Sequence, residues 1–250
     1  MLPMTRKGPI FAVMIILDRL AIGYSSRHGT SIVAEDMCAS AADGSLVCLV
    51  GANGTGKSTL IRTVAGFQKP LGGDVLVGMA GNIQPTGQMK RSEKSRMIGV
   101  VLTERPVLEH LTVRDVVGLG RTPYTGLFGN LSDADRAAVD RALQLAGIAH
   151  IAERDMACLS DGERQKVMIA KALAQQPSVL VLDEPSAFLD YPSKKELMSL
   201  LARLAHEENK TILVSSHDLH IISGAADLFW VMERDEGRTL IRVERELHPD

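Results

Sequence analysis

Apolar positions in the first fifty residues fall into short runs: MIILDRLAIGY (14–24), SIVAEDMCA (31–39) and SLVCLV (45–50), separated by Gly- and Ser-containing breaks. Runs of this length predict strands and a β-rich opening. The period then changes. Leu60, Ile61, Val64 and Ala65 share one side of a predicted helix that Gly66 can end. From about residue 130 the helical period dominates. Ser132 and Asp135 form a capping-box pattern, Val139, Ala142, Leu143 and Ala146 make a stripe, and Gly147 is a stop. A second box, Ser160 with Glu163, opens a helix through Val167, Ala170, Lys171 and Ala174 that Pro177 must end. Next come a continuous apolar strand closing in two acids, SVLVLDEP (178–185), a helix with Leu197, Leu200, Leu201 and Leu204 on one face, and the strand TILVS (211–215).

Strands alternating with helices predict an α/β fold with a mostly parallel sheet, flanking helices and ligands at the carboxyl ends of its strands. The opening strands add an antiparallel β part. The helices of about 104–176 interrupt the alternation and predict an inserted helical sub-domain in a single domain of 10–232, with core parts of about 10–103 and 177–232 and a short extension over 233–250.

Chemistry enters at LVGANGTGKSTLIRTVAG (49–66), a G-x-x-x-x-G-K-S motif between a predicted strand and a predicted helix. The loop of Gly51, Asn53, Gly54, Thr55 and Gly56 can turn several N–H groups towards one anion at a helix start, which makes phosphate the natural guest. Lys57 supplies a cation for the β and γ phosphates. Ser58 is placed as a magnesium ligand, with Thr59 beside it. A phosphate loop alone does not hydrolyse a nucleotide. Asp183, at the end of its strand, is a second candidate for magnesium, and Glu184 follows where a carboxylate can polarise water. His217 ends the next strand and should emerge at the same sheet edge. Tyr24 precedes the loop and can stack on a purine. The remaining histidines read as structural.

Composition narrows the partners. With 28 Lys plus Arg against 30 Asp plus Glu, nothing favours nucleic acid. Cys38, Cys48 and Cys158 lack metal-type spacing and read as thiols of a reducing compartment. The run IFAVMIIL (10–17) is short and followed at once by Asp18 and Arg19, so it predicts a strand and not a signal peptide. No stretch is long enough to cross a bilayer, so work at a membrane would go through a partner.

Together these segments resemble the ATP-binding cassette (ABC) ATPases, with a P-loop NTPase core. The segment LSDGERQK (159–166) is similar to that family's signature, upstream of VLVLDEP; SAFLD (186–190) and SSHD (215–218) resemble its next two elements. The resemblance covers about 15–232. It implies ATP and Mg2+ as cofactors and two cassettes facing head to tail, most simply a homodimer. Ser160, Asp161, Gly162 and Glu163 would then close on the partner's ATP, Glu184 would act as the hydrolytic base, His217 as a switch, and Asp190 as a link between the two sites. The segment LTVRDVVGLGRTPYTGLFGNLSDAD (111–135), especially GRTPY, is similar to the branch serving bacterial importers of iron chelates, haem and cobalamin. That branch implies transmembrane permease subunits, indirectly a substrate-binding protein, and a peripheral place on the cytoplasmic face of the membrane. The other class to weigh is a soluble mechanical ATPase in cofactor assembly or a nucleic-acid process. A small-molecule kinase would need an acceptor pocket in place of the signature.

Two departures stand out. Thr103, followed by Glu104, occupies the place of the family's usual coupling glutamine, and the pair is expected to substitute for it. Asp161 and Glu163 stand where the signature usually has glycine and glutamine. Glu163 is expected to cap its helix and Asp161 to point away from the nucleotide.

Overall fold

The computed structural model describes residues 13–27, 29–79, 82–103, 110–125, 129–235 and 238–247. In chain order the strands are β1 (Val13–Ser26), β2 (Gly29–Ala42), β3 (Leu46–Gly51), β4 (Gly72–Met79), β5 (Asn82–Pro85), β6 (Ile98–Val101), β7 (Val179–Leu182), β8 (Thr211–Ser215), β9 (Leu228–Asp235) and β10 (Arg238–Glu244). The helices are α1 (Lys57–Val64), α2 (Arg91–Met97), α3 (Val113–Gly118), α4 (Asp133–Leu145), α5 (Asp161–Ala174), α6 (Tyr191–His206) and α7 (Leu219–Ile222).

The first two opening runs, β1 and β2, pair with β4 and β5 in an antiparallel sheet of order β2-β1-β4-β5, whereas the third run, β3, lies with the remaining strands in a second sheet of order β10-β9-β3-β8-β7-β6. Within the second sheet β9, β3, β8, β7 and β6 run parallel to one another. Both faces of these strands are covered, so β3, β7 and β8 are apolar along almost their whole length and nearly every residue is buried. One apolar cluster fills the space between the two sheets around α1; a second joins the parallel sheet to α3, α4, α5 and α6.

The predicted caps form. Ser132 accepts from the Asp135 N–H and Ser160 from the Glu163 N–H, with both acids returning the bond. The faces predicted on α1 and α6 are buried: Leu60, Ile61 and Val64, and Leu197, Leu200, Leu201 and Leu204. The sheet does not stop at residue 232. Seven residues of β10 pair antiparallel with β9, so 238–244 are a strand of the domain and not an appended extension. Leu240 and Val243 of this edge strand stay exposed, which weakens the apolar alternation by which a strand is read.

The GRTPY element lies at the heart of the helical part. Gly120 packs so closely on α5 that a Cβ would sit 2.1 Å from the Lys171 carbonyl oxygen. This brings the buried Arg121 against Asp135 (2.8 Å) and lets it donate to the Ala174 carbonyl (2.7 Å) and Gln176 Oε1 (3.1 Å). The Tyr124 ring stacks under the Arg121 guanidinium at 3.8 Å, and its hydroxyl donates to the Gln175 carbonyl.

Candidate nucleotide site

β3 delivers the phosphate loop and α1 leaves it. Gly54 (φ +81°) and Gly56 (φ +102°) hold left-handed backbone angles, which glycine adopts without strain. No side chain caps α1, so its first N–H groups are left for a ligand. The buried Lys57 ammonium folds back over the loop and donates to the carbonyls of Gly51 (2.8 Å) and Ala52 (3.0 Å). Burial lowers its pKa, while the negative charges of Glu184 and Asp183 oppose that shift.

β7 brings the acids to the same edge. Ser58 Oγ donates to Asp183 Oδ1 at 3.3 Å, so the two predicted magnesium ligands are already neighbours. The Asp183 N–H donates to the Val101 carbonyl on β6, and the Thr103 hydroxyl donates to the Asp183 carbonyl at 2.9 Å. Thr103 is therefore tied to the main chain of the acidic strand. Glu104 lies outside the described residues.

Glu184 sits at φ +46° immediately after the strand and touches His217 Nε2 through Oε1. Lys194 pairs with Asp218 at 2.6 Å, tying α6 to the segment that carries His217. Tyr24 is half exposed, and its hydroxyl shares a hydrogen bond with Thr59 Oγ1 at 3.0 Å. Lys57 and Ser58, Asp183 and Glu184, and His217 follow three different strands and thus converge on one edge of the parallel sheet.

The signature residues lie at the start of α5. Glu163 Oε2 accepts from the Ser160 N–H (2.9 Å) and hydroxyl (3.0 Å), and the partly buried Glu163 also pairs with Arg154. The Ser160 N–H and then its hydroxyl hold the Glu163 carboxyl below its ordinary pKa. Glu163 caps its helix, as expected, and Asp161 is exposed at the first helical position. Asp190 caps α6 by accepting from the Ser193 N–H at 3.0 Å. Ser160 bonds to Glu163, Glu163 also to Arg154, and Asp190 to the Ser193 N–H, each within its own segment of the chain and away from the phosphate loop.

Sequence reasoning missed Ser215. Its hydroxyl donates to Asp183 Oδ1 and accepts from the Glu184 N–H, both at 2.8 Å. A polar residue directly after the buried apolar run Ile212, Leu213 and Val214 was the available signal.

Residues 35–187 match the ABC transporter family. The chain belongs to that family. The cassette is 40% identical over 214 residues to an uncharacterized ABC transporter ATP-binding protein of Methanocaldococcus jannaschii, covering 86% of this chain and 71% of that protein. It is 42% identical over 199 residues to the cobalamin import ATP-binding protein of Halobacterium salinarum, covering 80% of this chain. There the cassette spans about half of the relative, 48% of its length. It is 36% identical over 203 residues to the iron(3+)-hydroxamate import ATP-binding protein of Bacillus subtilis, covering 81% and 72% of the two chains.

Among solved structures, cbiO1 of Clostridium perfringens, part of the ABC transporter complex cbiONQ, superposes with a TM-score of 0.79 at 30% identity, covering 94% of the cassette and 89% of that chain. A dimeric bacterial ABC transporter cassette gives 0.75 at 26% identity, covering 93% and 98%. The fold is that of an ABC cassette and the activity is ATP binding and hydrolysis. Among the described residues no helix is long and apolar enough to cross a membrane.

Proposed function

We propose that the cassette powers a bacterial importer of iron chelates, haem or cobalamin, as one of two copies that close on two ATP molecules beneath a transmembrane permease. The observation that carries the hydrolytic part is the convergence of Lys57, Ser58, Asp183, Glu184 and His217 on one edge of the parallel sheet. The relatives named for cobalamin and iron(3+)-hydroxamate import support the cargo class.

In this reading the loop from Gly51 to Thr59 grips the triphosphate and Tyr24 stacks on the base. Ser58 and Asp183 offer hard oxygen donors side by side, the set that Mg2+ prefers, and would hold it. When bound, the ion supplies charge neutralisation on the β and γ phosphates. Glu184 takes a proton from water as its oxygen attacks the γ phosphorus. The bond to the β–γ bridging oxygen breaks, and ADP and phosphate result. His217, against Glu184, is placed to hold that carboxylate and respond to loss of the γ phosphate. Ser160 and Gly162 at a helix start face the partner's ATP, with Glu163 kept in the helix cap and Asp161 turned away from the nucleotide, and Asp190 joins the two sites.

A cleft of about 780 Å3 suits a cytoplasmic segment of the permease. Tyr24, Arg62, Phe67, Gln68, Leu71 and Leu102 line it, and Phe67 is 64% exposed. Leu102 precedes Thr103, whose hydroxyl reaches the Asp183 carbonyl, so pressure in the cleft has a short path to the acids. Thr103 with Glu104 is the coupling pair in this reading. A substrate-binding protein would deliver cargo to the permease, and the cassette would sit peripherally on the cytoplasmic face.

The test is to tag the chain in its native cell, solubilise the membranes gently and identify what co-purifies. A stoichiometric subunit with many membrane spans is the expected result. Recovery only from the soluble fraction, with a soluble protein or nucleic acid, would replace the importer by a soluble mechanical ATPase.

A further inference from the structure

Ser215 ends β8, a strand whose neighbours β3 and β7 flank it in the parallel sheet. The preceding residues Ile212, Leu213 and Val214 are fully buried, and so is Ser215. Packing alone would be served by another aliphatic residue there. A hydroxyl in such a place is tolerated only if its hydrogen bonds are made. A hydroxyl has one proton to give and lone pairs to receive. Ser215 gives the proton to Asp183 Oδ1 and receives the Glu184 N–H, at 2.8 Å each. One side chain from the adjacent strand therefore holds two consecutive acids, the first by its carboxylate and the second by its backbone.

The second bond bears on an unusual conformation. Glu184 is a non-glycine residue at φ +46°, a region that persists only where the surroundings hold it. The turn aims the Glu184 side chain at His217, while its N–H points back to Ser215. The first bond leaves Asp183 Oδ1 shared between the Ser58 and Ser215 hydroxyls, which sets the rotation of the carboxylate facing the phosphate loop.

We propose that Ser215 is a positioning residue for hydrolysis: through one buried hydroxyl it orients the Asp183 carboxylate towards the metal and locks the backbone turn that aims Glu184 at water. The inference rests on the assignment of the metal to Asp183 and of the base to Glu184. Groups that orient metal ligands in this way typically govern metal affinity or activity by about 10–100-fold.

The experiment compares Ser215→Ala with Ser215→Cys, which keeps the side-chain shape and replaces a strong hydrogen-bonding group by a weak one. Three quantities are read on the full chain: kcat and KM for ATP, Mn2+ affinity of the ATP-loaded protein by electron paramagnetic resonance, and ATP affinity in EDTA. Both variants should lose about 10–100-fold in kcat, with a parallel weakening of Mn2+ binding. ATP affinity in EDTA should stay within about twofold, because Lys57 and the loop are untouched and only the orientation of the acids is lost. Normal kcat and Mn2+ affinity in Ser215→Cys would overturn the inference, whether or not Ser215→Ala folds, because shape alone would then suffice. Asp183→Asn and Glu184→Gln separate the two levels. If these variants hydrolyse ATP normally, the site assignment itself fails; if they are inactive while Ser215→Cys is normal, only the role of Ser215 falls.

Discussion

The phosphate-loop edge and the Arg121 cluster are both built from short motifs around a cation, and they use it in opposite ways. At the loop edge Lys57 rests on two carbonyl oxygens, and the first N–H groups of α1 have no side-chain cap. Those contacts can be exchanged for a triphosphate. In the helical part Arg121 is consumed by the protein: Asp135, two acceptors near the end of α5 and the Tyr124 ring surround it. Its side chain is 6% exposed and that of Asp135 is 9%. The first motif is chemistry held ready for a ligand, whereas GRTPY in this chain is architecture that anchors the far end of the helix whose start bears the signature.

The sharpest way to break that comparison is to delete each cation's function and watch different readouts. Lys57→Ala should reduce ATP affinity by about a hundredfold or more, because a charge-assisted contact to phosphate is lost from a partly dry site. Its melting temperature without nucleotide should hardly move, and equilibrium binding with a fluorescent ATP analogue checks the first half. Asp135→Ala should do the reverse. Leaving Arg121 buried without its carboxylate should lower the melting temperature by about 10 °C. Per folded molecule, ATP affinity should stay within about twofold of the wild type, as the phosphate loop is untouched. A large loss of ATP affinity in folded Asp135→Ala would mean that the cluster reaches the nucleotide after all.

A smaller effect follows from pH. The Ser132 hydroxyl first, then Arg121 and the Ser132 N–H, hold the Asp135 carboxyl at about 2, against an ordinary 3.8. A depressed carboxyl pKa contributes stability that is present above the ordinary value and lost as pH falls through the folded one. Denaturant melts of wild type and Asp135→Asn should therefore differ by a constant gap from pH 7 to 5, closing between about 4 and 2. A gap that does not change with pH would show that the charge contributes nothing. The smallest effect concerns the strand beneath the phosphate loop. Burial, and then the charge of Asp227, push the Cys48 thiol up to about 12, while Cys38 and Cys158 are exposed. At pH 8 a thiol reagent should modify Cys38 and Cys158 readily and spare Cys48 until the protein unfolds. Rapid modification of Cys48 would show that β3 opens with the loop it carries.

Much of this contrast is legible in the sequence. The glycine spacing before Lys57, the acids closing an apolar strand and the Ser160–Glu163 box all depend on local geometry, because strand, loop and helix preferences act over a few residues. The same locality hid the rest. Leu240 and Val243 lie on an exposed edge strand, where alternation is weak, so β10 emerges only from its pairing with β9. GRTPY announces a branch of the family but not a buried ion pair, since Asp135 and Gln176 meet Arg121 only after α4 and α5 pack.

By itself, the sequence determined the P-loop core, the inserted helices and the residue types able to grip a triphosphate, since each follows from period, capping or a contiguous motif. Only the tertiary structure decided that the Thr103 hydroxyl is given to the Asp183 carbonyl and that Ser215 serves Asp183 and Glu184 together. Those bonds join β6, β7 and β8, and the order of strands in a parallel sheet is a product of long-range packing that no local pattern encodes.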